Sequence, residues 1–119
     1  TGSEVWYNEF SEKAVASELS KLIANTLGIV DRGAKTSNYY GVIRNLKHPI
    51  DLLVEVCFID NKDDLEKLNK KFDQLVNIMV LFIVNTLDIK RSECDVTRLF
   101  ESIFDDLVTL RDLIESEEK

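Results

Sequence analysis

A carboxylate stands in this chain where carboxylates are rarely tolerated. Residues 51–61 read Asp-Leu-Leu-Val-Glu-Val-Cys-Phe-Ile-Asp-Asn. Leu52, Leu53, Val54, Val56, Phe58 and Ile59 form an apolar run rich in β-branched and aromatic types, which predicts a largely buried strand. Glu55 interrupts it. A carboxylate in such a strand is costly unless it is paired, solvated at a cleft or used, so Glu55 is the leading functional candidate. The other chemistry-bearing residues are weaker leads. His48 is the single histidine and invites a zinc reading. It sits in a Lys-His-Pro turn whose proline forces an extended predecessor, and no partner ligands accompany it, so it reads as a solvated loop residue. Cys57 and Cys94 are too few and too far apart for a metal knuckle and read as reduced thiols, with Cys57 a packing residue. Arg32, Lys35 and Arg44 can face an anionic ligand or simply pair with Asp31 and neighbouring acids. None is assigned as a substrate-binding site, and no metal ligand is expected in the chain.

The elements that must position Glu55 follow from the pattern around it. Residues 3–7, Ser-Glu-Val-Trp-Tyr, read as a short strand of β-favouring types. Ser11 is the expected N-cap of a helix with Ala14, Val15, Leu19, Leu22, Ile23 and Leu27 on one face, and Gly28 ends it. Residues 30–37 read as a polar loop, 39–43 as a second strand and 44–49 as the turn into the strand of Glu55. Asp60 or Asn61 then caps a short helix through Leu68. A longer helix is expected over 69–87, with Phe72, Leu75, Val76, Met79, Phe82 and Ile83 inward. The mixed charges of 62–71 read as a solvated face. Strands alternating with helices predict an α/β fold with neighbouring parallel strands.

The 119 residues suit one domain with a real core, and 45% hydrophobic with 31% charged residues is ordinary for a globular protein. The net charge of −7 is unevenly placed: residues 93–119 carry nine acidic and three basic side chains, residues 1–92 thirteen and twelve. That balance argues against sequence-independent nucleic-acid binding. The apolar run 78–84 is too short to span a bilayer. The chain starts at Thr1 and its one methionine is Met79, so it reads as processed or as a piece of something longer. We expect two segments, 1–90 and an acidic amphipathic helical tail at 91–119. In that tail Val96, Phe100, Ile103, Leu107, Leu110 and Ile114 make a heptad seam, either packed on its own domain, dimerising, or leading to another domain.

Five segments together resemble a known family: Gly-Ser-Glu-Val-Trp-Tyr at 2–7, Arg-Gly-Ala-Lys at 32–35, Tyr-Gly-Val-Ile-Arg at 40–44, Pro49, and Leu-Val-Glu-Val-Cys-Phe-Ile-Asp-Asn at 53–61. In order and spacing they are similar to the second half of zinc-dependent N-acetylmuramoyl-L-alanine amidases of the third type, found in bacterial autolysins and phage endolysins. The resemblance covers about residues 2–87. It implies a twisted, mostly parallel sheet flanked by helices, and hydrolysis of the amide between N-acetylmuramic acid and L-alanine in peptidoglycan. Zinc activates the water in that family, a glutamate acts as general base or transition-state partner, and the motif places that glutamate at Glu55. The family's zinc ligands, two histidines and a glutamate, lie upstream of the matching segment. The resemblance therefore implies zinc in the intact parent, none in this chain alone, and a chain inactive by itself. It implies action at the cell wall. A second expectation is a noncatalytic interaction module, a homodimer assembled through the 96–114 helix.

Overall fold

Side-chain alternation along the first strand sets the architecture. The computed structural model describes residues 1–37, 39–87, 101, 102 and 105. In β1 (Ser3–Tyr7), Ser3 and Val5 are fully buried on one face, while Glu4 and Trp6 point to the other, as the period of two requires. Strand β1 is the centre of a three-stranded sheet, with β2 (Asp31–Thr36) parallel on one side and β3 (Leu52–Glu55) antiparallel on the other. The α/β class stands, and the described sheet is mixed rather than wholly parallel.

Helix α1 (Lys13–Leu27) covers the Ser3/Val5 face. Its buried stripe is Ala16, Leu19, Ser20, Ile23, Ala24 and Leu27, rotated from the expected one so that Ala14 is exposed. The reason is the small residues at 16, 20 and 24, which let the helix lie close to β1. There Ser3 Oγ donates to the Ser20 carbonyl at 3.1 Å, and Ser20 Oγ donates to Asp31 Oδ1 at 2.6 Å. Gly28 closes the helix at φ +73°, its N–H bonding the Ala24 carbonyl at 2.8 Å, as a left-handed C-terminal glycine does. Leu52 and Val54 of β3, Leu75 and Phe82 complete the apolar cluster. Each buried aliphatic side chain there contributes about 1.5–3 kcal/mol.

Several local expectations are corrected. Residues 31–36 form β2 instead of a loop, because Asp31-Arg-Gly-Ala-Lys pairs with β1. Residues 41–44 form a single helical turn, α2 (Gly41–Arg44), instead of a strand, with the Ile43 and Arg44 N–H groups both turning back to the Tyr40 carbonyl. Ser11 does not cap α1. Glu12 holds that position without a side-chain bond, while the Ser11 hydroxyl accepts from Asp51 N at 3.0 Å. Strand β3 stops at Glu55, and Ile59 is 83% exposed.

The later helices are α3 (Lys62–Lys70) and α4 (Phe72–Thr86). Asn61 caps α3 as expected, accepting from Asp64 N at 3.1 Å. Asp64 departs from the solvated face predicted for 62–71. It is fully buried and accepts from the Thr1 hydroxyl and from Gly2 N, the latter at 2.8 Å. Gly2 has φ +112°, and a Cβ there would lie 2.5 Å from the Val30 carbonyl oxygen, so only glycine fits. On α4, Leu75 and Phe82 are buried and Met79 packs beside them, whereas Phe72, Val76 and Ile83 are exposed. This helix is apolar nearly all round, and its pattern does not single out the inward stripe.

The structure divides into two units, Thr1–Phe82 and Ile83–Lys119. In the second, residues 101, 102 and 105 are helical, and the seam residues Val96, Phe100, Ile103, Leu107, Leu110 and Ile114 lie outside the described residues, as does Cys94.

A buried amide ties the turn before β3 to the end of β1. Asn8 Nδ2 donates to the carbonyls of Ile43 at 2.8 Å and Leu46 at 3.0 Å, and its Oδ1 accepts from Phe10 N at 2.9 Å and from the Ser11 hydroxyl at 3.1 Å. Removing this amide strands several buried partners. We expect Asn8→Ala to cost about 2–3 kcal/mol of stability by urea denaturation, against less than about 0.5 kcal/mol for the exposed Val42→Ser.

Candidate active site

Register brings two carboxylates together. Glu55, the last residue of β3, is the antiparallel partner of Glu4 at the middle of the sheet. Directly opposed residues share a face, and here it is the face away from α1. Each carboxyl acts on the other's acidity across this pair. Glu4 is 4% exposed and Glu55 is half-buried.

An irregularity in β2 supplies the counter-charge. Ser3 pairs with Asp31 and Val5 with Ala34, so Arg32 and Gly33 together stand opposite Glu4. This is a β-bulge, with Gly33 at φ +77°, a left-handed conformation that favours glycine. In a regular strand Arg32 and Lys35, three apart, point to opposite faces. The extra residue resets the alternation and turns both cations to the Glu4 side. Arg32 Nε donates to Glu4 Oε2 at 2.6 Å and Lys35 Nζ to the same oxygen at 2.5 Å. Trp6 Nε1 donates to Glu4 Oε1 at 3.0 Å.

The two carboxyls are pushed apart in acidity. Burial alone would raise Glu4, but Lys35, then Arg32, the Glu55 carboxyl and the Trp6 N–H more than offset it and hold Glu4 at about 2. Burial pushes Glu55 up, and the Glu4 carboxyl with its negative charge pushes it further. The Trp6 N–H and the Lys35 charge oppose this without cancelling it. Tyr40 completes the surround: burial, then the Glu55 and Glu4 charges, raise its pKa. Its ring stacks edge-on against Trp6, centroids 4.9 Å apart, and Tyr39 packs against it at 5.8 Å. Arg32 also lies over the Phe58 ring, 5.0 Å from its centroid. Beside it Thr1, Arg32, Phe58, Asp60 and Asn61 line a concavity of about 280 Å³.

Such a face has chemistry available to it. A carboxyl whose pKa is raised, facing a second carboxyl that is held ionised, can take a proton from water and return it to a leaving group.

The family model described as N-acetylmuramoyl-L-alanine amidase matches residues 1–85, which span β1 through α4 up to Asn85 and include the whole constellation. The chain belongs to the N-acetylmuramoyl-L-alanine amidase family. It is also 38% identical over 73 residues to the N-acetylmuramoyl-L-alanine amidase LytC of Bacillus subtilis (strain 168), covering 58% of this chain and 14% of that protein. The chain thus spans about one-seventh of the length of that curated relative. No solved structure matches.

Members of this family generally depend on zinc, and a catalytic zinc takes three protein donors plus an open position. The residues present do not fit one. Among the described residues no group of three or more His, Cys, Asp or Glu can hold a metal ion. His48 is exposed in its loop, its Nδ1 accepting from Ile50 N at 3.1 Å. Cys57 is a free thiol raised by burial and then by the Asp64 charge. No helix among the described residues is long and apolar enough to cross a membrane.

Of the cations weighed from sequence, Arg32 and Lys35 join the site through Glu4 rather than Asp31, and Arg44 lies exposed at the end of α2. Asp31 instead bonds Ser20 and Gly33 N. Sequence reasoning missed Glu4, Trp6 and Tyr40. A signal for Glu4 was present: like Glu55, it is a carboxylate inside a β-favouring run.

Glu4 also links the site to stability. Its folded pKa lies below its ordinary value of 4.5, so its stabilising contribution is present above about pH 4.5 and is lost as pH falls towards about 2. Urea denaturation should show the wild-type chain losing stability over this range. In Glu4→Gln the loss should shrink by on the order of 2 kcal/mol.

Proposed function

We propose that this chain carries the reacting carboxylate of a peptidoglycan amidase domain, with Glu55 as the general base. The parent protein hydrolyses the amide between N-acetylmuramic acid and L-alanine and works at the cell wall. The observation that carries this reading is the position of Glu55. It ends β3 on the sheet face away from α1, opposite Glu4 in register, with its pKa raised. Family membership and the printed activity of the relative support the choice of bond.

In this mechanism the Glu55 carboxylate takes a proton from the attacking water as the oxygen–carbon bond forms at the amide carbonyl. It then delivers that proton to the amide nitrogen as the carbon–nitrogen bond breaks, which frees the L-alanine amine and restores the carboxylate. Tyr40 and Trp6, packed edge-on against one another, flank the carboxyl. The described residues would not hold the zinc on which the family generally depends; when bound, it would supply Lewis acidity to the water and carbonyl. The 119 residues by themselves are therefore inactive.

General acid–base groups contribute about 10²–10⁴-fold to rate. In the intact protein, Glu55→Gln should reduce release of stem peptides from purified cell walls by that factor while leaving the fold unchanged by circular dichroism. Full activity in the variant overturns the assignment.

A further inference from the structure

Two acids placed opposite each other pose a problem that only one of them can resolve by ionising. Glu4 and Glu55 are register partners on adjacent strands and share one face, and each acts on the other's acidity. Like charges directly opposed in a sheet are destabilising, and two carboxyls so placed resist ionising together. Which one ionises first depends on the surroundings, and these are lopsided. From β2, Arg32 and Lys35 both donate to Glu4 Oε2. From β1, Trp6 donates to Glu4 Oε1 and also reaches Glu55. From the segment before α2, the neutral Tyr40 packs against Trp6 and feels the Glu55 charge. Both direct cation contacts thus fall on Glu4, and Lys35 acts on Glu55 only through space.

We propose that Glu4, clamped by Arg32 and Lys35, is a positioning residue that keeps its own charge permanently and so makes Glu55 the carboxyl that gains and loses a proton. This deepens the reading of Glu55 as general base and rests on it for its functional meaning. The β-bulge at Gly33 is part of the device, because it brings both cations to Glu4. A general base works best when its pKa approaches the operating pH. A fixed neighbouring negative charge moves a carboxyl in that direction, and the cations prevent Glu4 from competing for the proton.

The test is a carboxyl titration by ¹³C NMR of the glutamate-labelled 119-residue chain. The Glu55 signal is assigned by its loss in Glu55→Gln, and the pair is treated as one coupled system. Glu4→Gln keeps a hydrogen-bond acceptor for Trp6 and leaves Arg32 and Lys35, 40% and 32% exposed, able to reach water. It should move the Glu55 midpoint to lower pH. Lys35→Met, which leaves Glu4 paired to Arg32, should move it to higher pH. In the intact amidase, the acid limb of the kcat/KM profile should shift in the same two opposite directions. A purely structural role does not produce shifts of opposite sign. A Glu55 midpoint unmoved in Lys35→Met, or moved down, overturns the proposal, and that variant decides the matter even where Glu4→Gln fails to fold. Opposite shifts in the titration with a fully active Glu55→Gln enzyme would instead leave the coupling intact and remove the general-base reading.

Discussion

A buried negative charge at the centre of the sheet governs how the rest of this domain is arranged. Glu4 sits on the middle strand, 4% exposed, where an unpaired carboxylate would be strongly unfavourable. Its neighbours answer that constraint. Strand β2 bulges at Gly33 so that Arg32 and Lys35 reach one oxygen, and Trp6 satisfies the other. Glu55 meets this charge from the opposite strand, and its own pKa is raised by it. Strand pairing, backbone conformation and acid–base chemistry are therefore one connected set of causes.

The two faces of the sheet divide the work. Towards α1, small and aliphatic residues pack closely, and the polar groups among them, Ser3, Ser20 and Asp31, satisfy one another. Away from α1, the same strands present carboxyls, cations and aromatic rings. Two polar hubs fix the ends of β1. Asp64 binds Gly2 and Thr1 at the start, and Asn8 gathers the 43–51 segment at the finish. Tyr40 is brought beside Glu55 by the α2 segment that Asn8 anchors through the Ile43 carbonyl. Positioning of the site thus depends on buried polar contacts as much as on the apolar core, as is common where a polar network specifies one arrangement.

Much of this was legible from composition and spacing. The run around Glu55, the strand at 3–7, the long helix ending at Gly28 and the Asn61 cap all have local signals, and local signals prevailed there. Residues 31–36 were not legible. Asp-Arg-Gly-Ala-Lys has turn chemistry, and its strand conformation comes from pairing with β1 over a bulge, a tertiary effect. Residues 39–43 are aromatic and β-branched enough to suggest a strand, yet their Tyr40 packs on Trp6 while the backbone turns. Ser11 has the chemistry of a helix cap but bonds a distant turn instead. Glu4 carries the same local signal as Glu55, a carboxylate in a β-favouring run, but only the register reveals that it faces Glu55.

The family match spans the face described here, and the carboxyl whose pKa is raised there, Glu55, is the one proposed as the general base. The most direct test is chemical rescue. In the intact protein, Glu55→Ala removes the carboxyl and leaves a space beside Tyr40 and Trp6. Stem-peptide release should fall sharply, and added formate, a small carboxylate able to enter that space, should restore part of it in a concentration-dependent way. A Glu55→Ala protein that cleaves cell walls as fast as wild type, with no response to formate, would contradict the account.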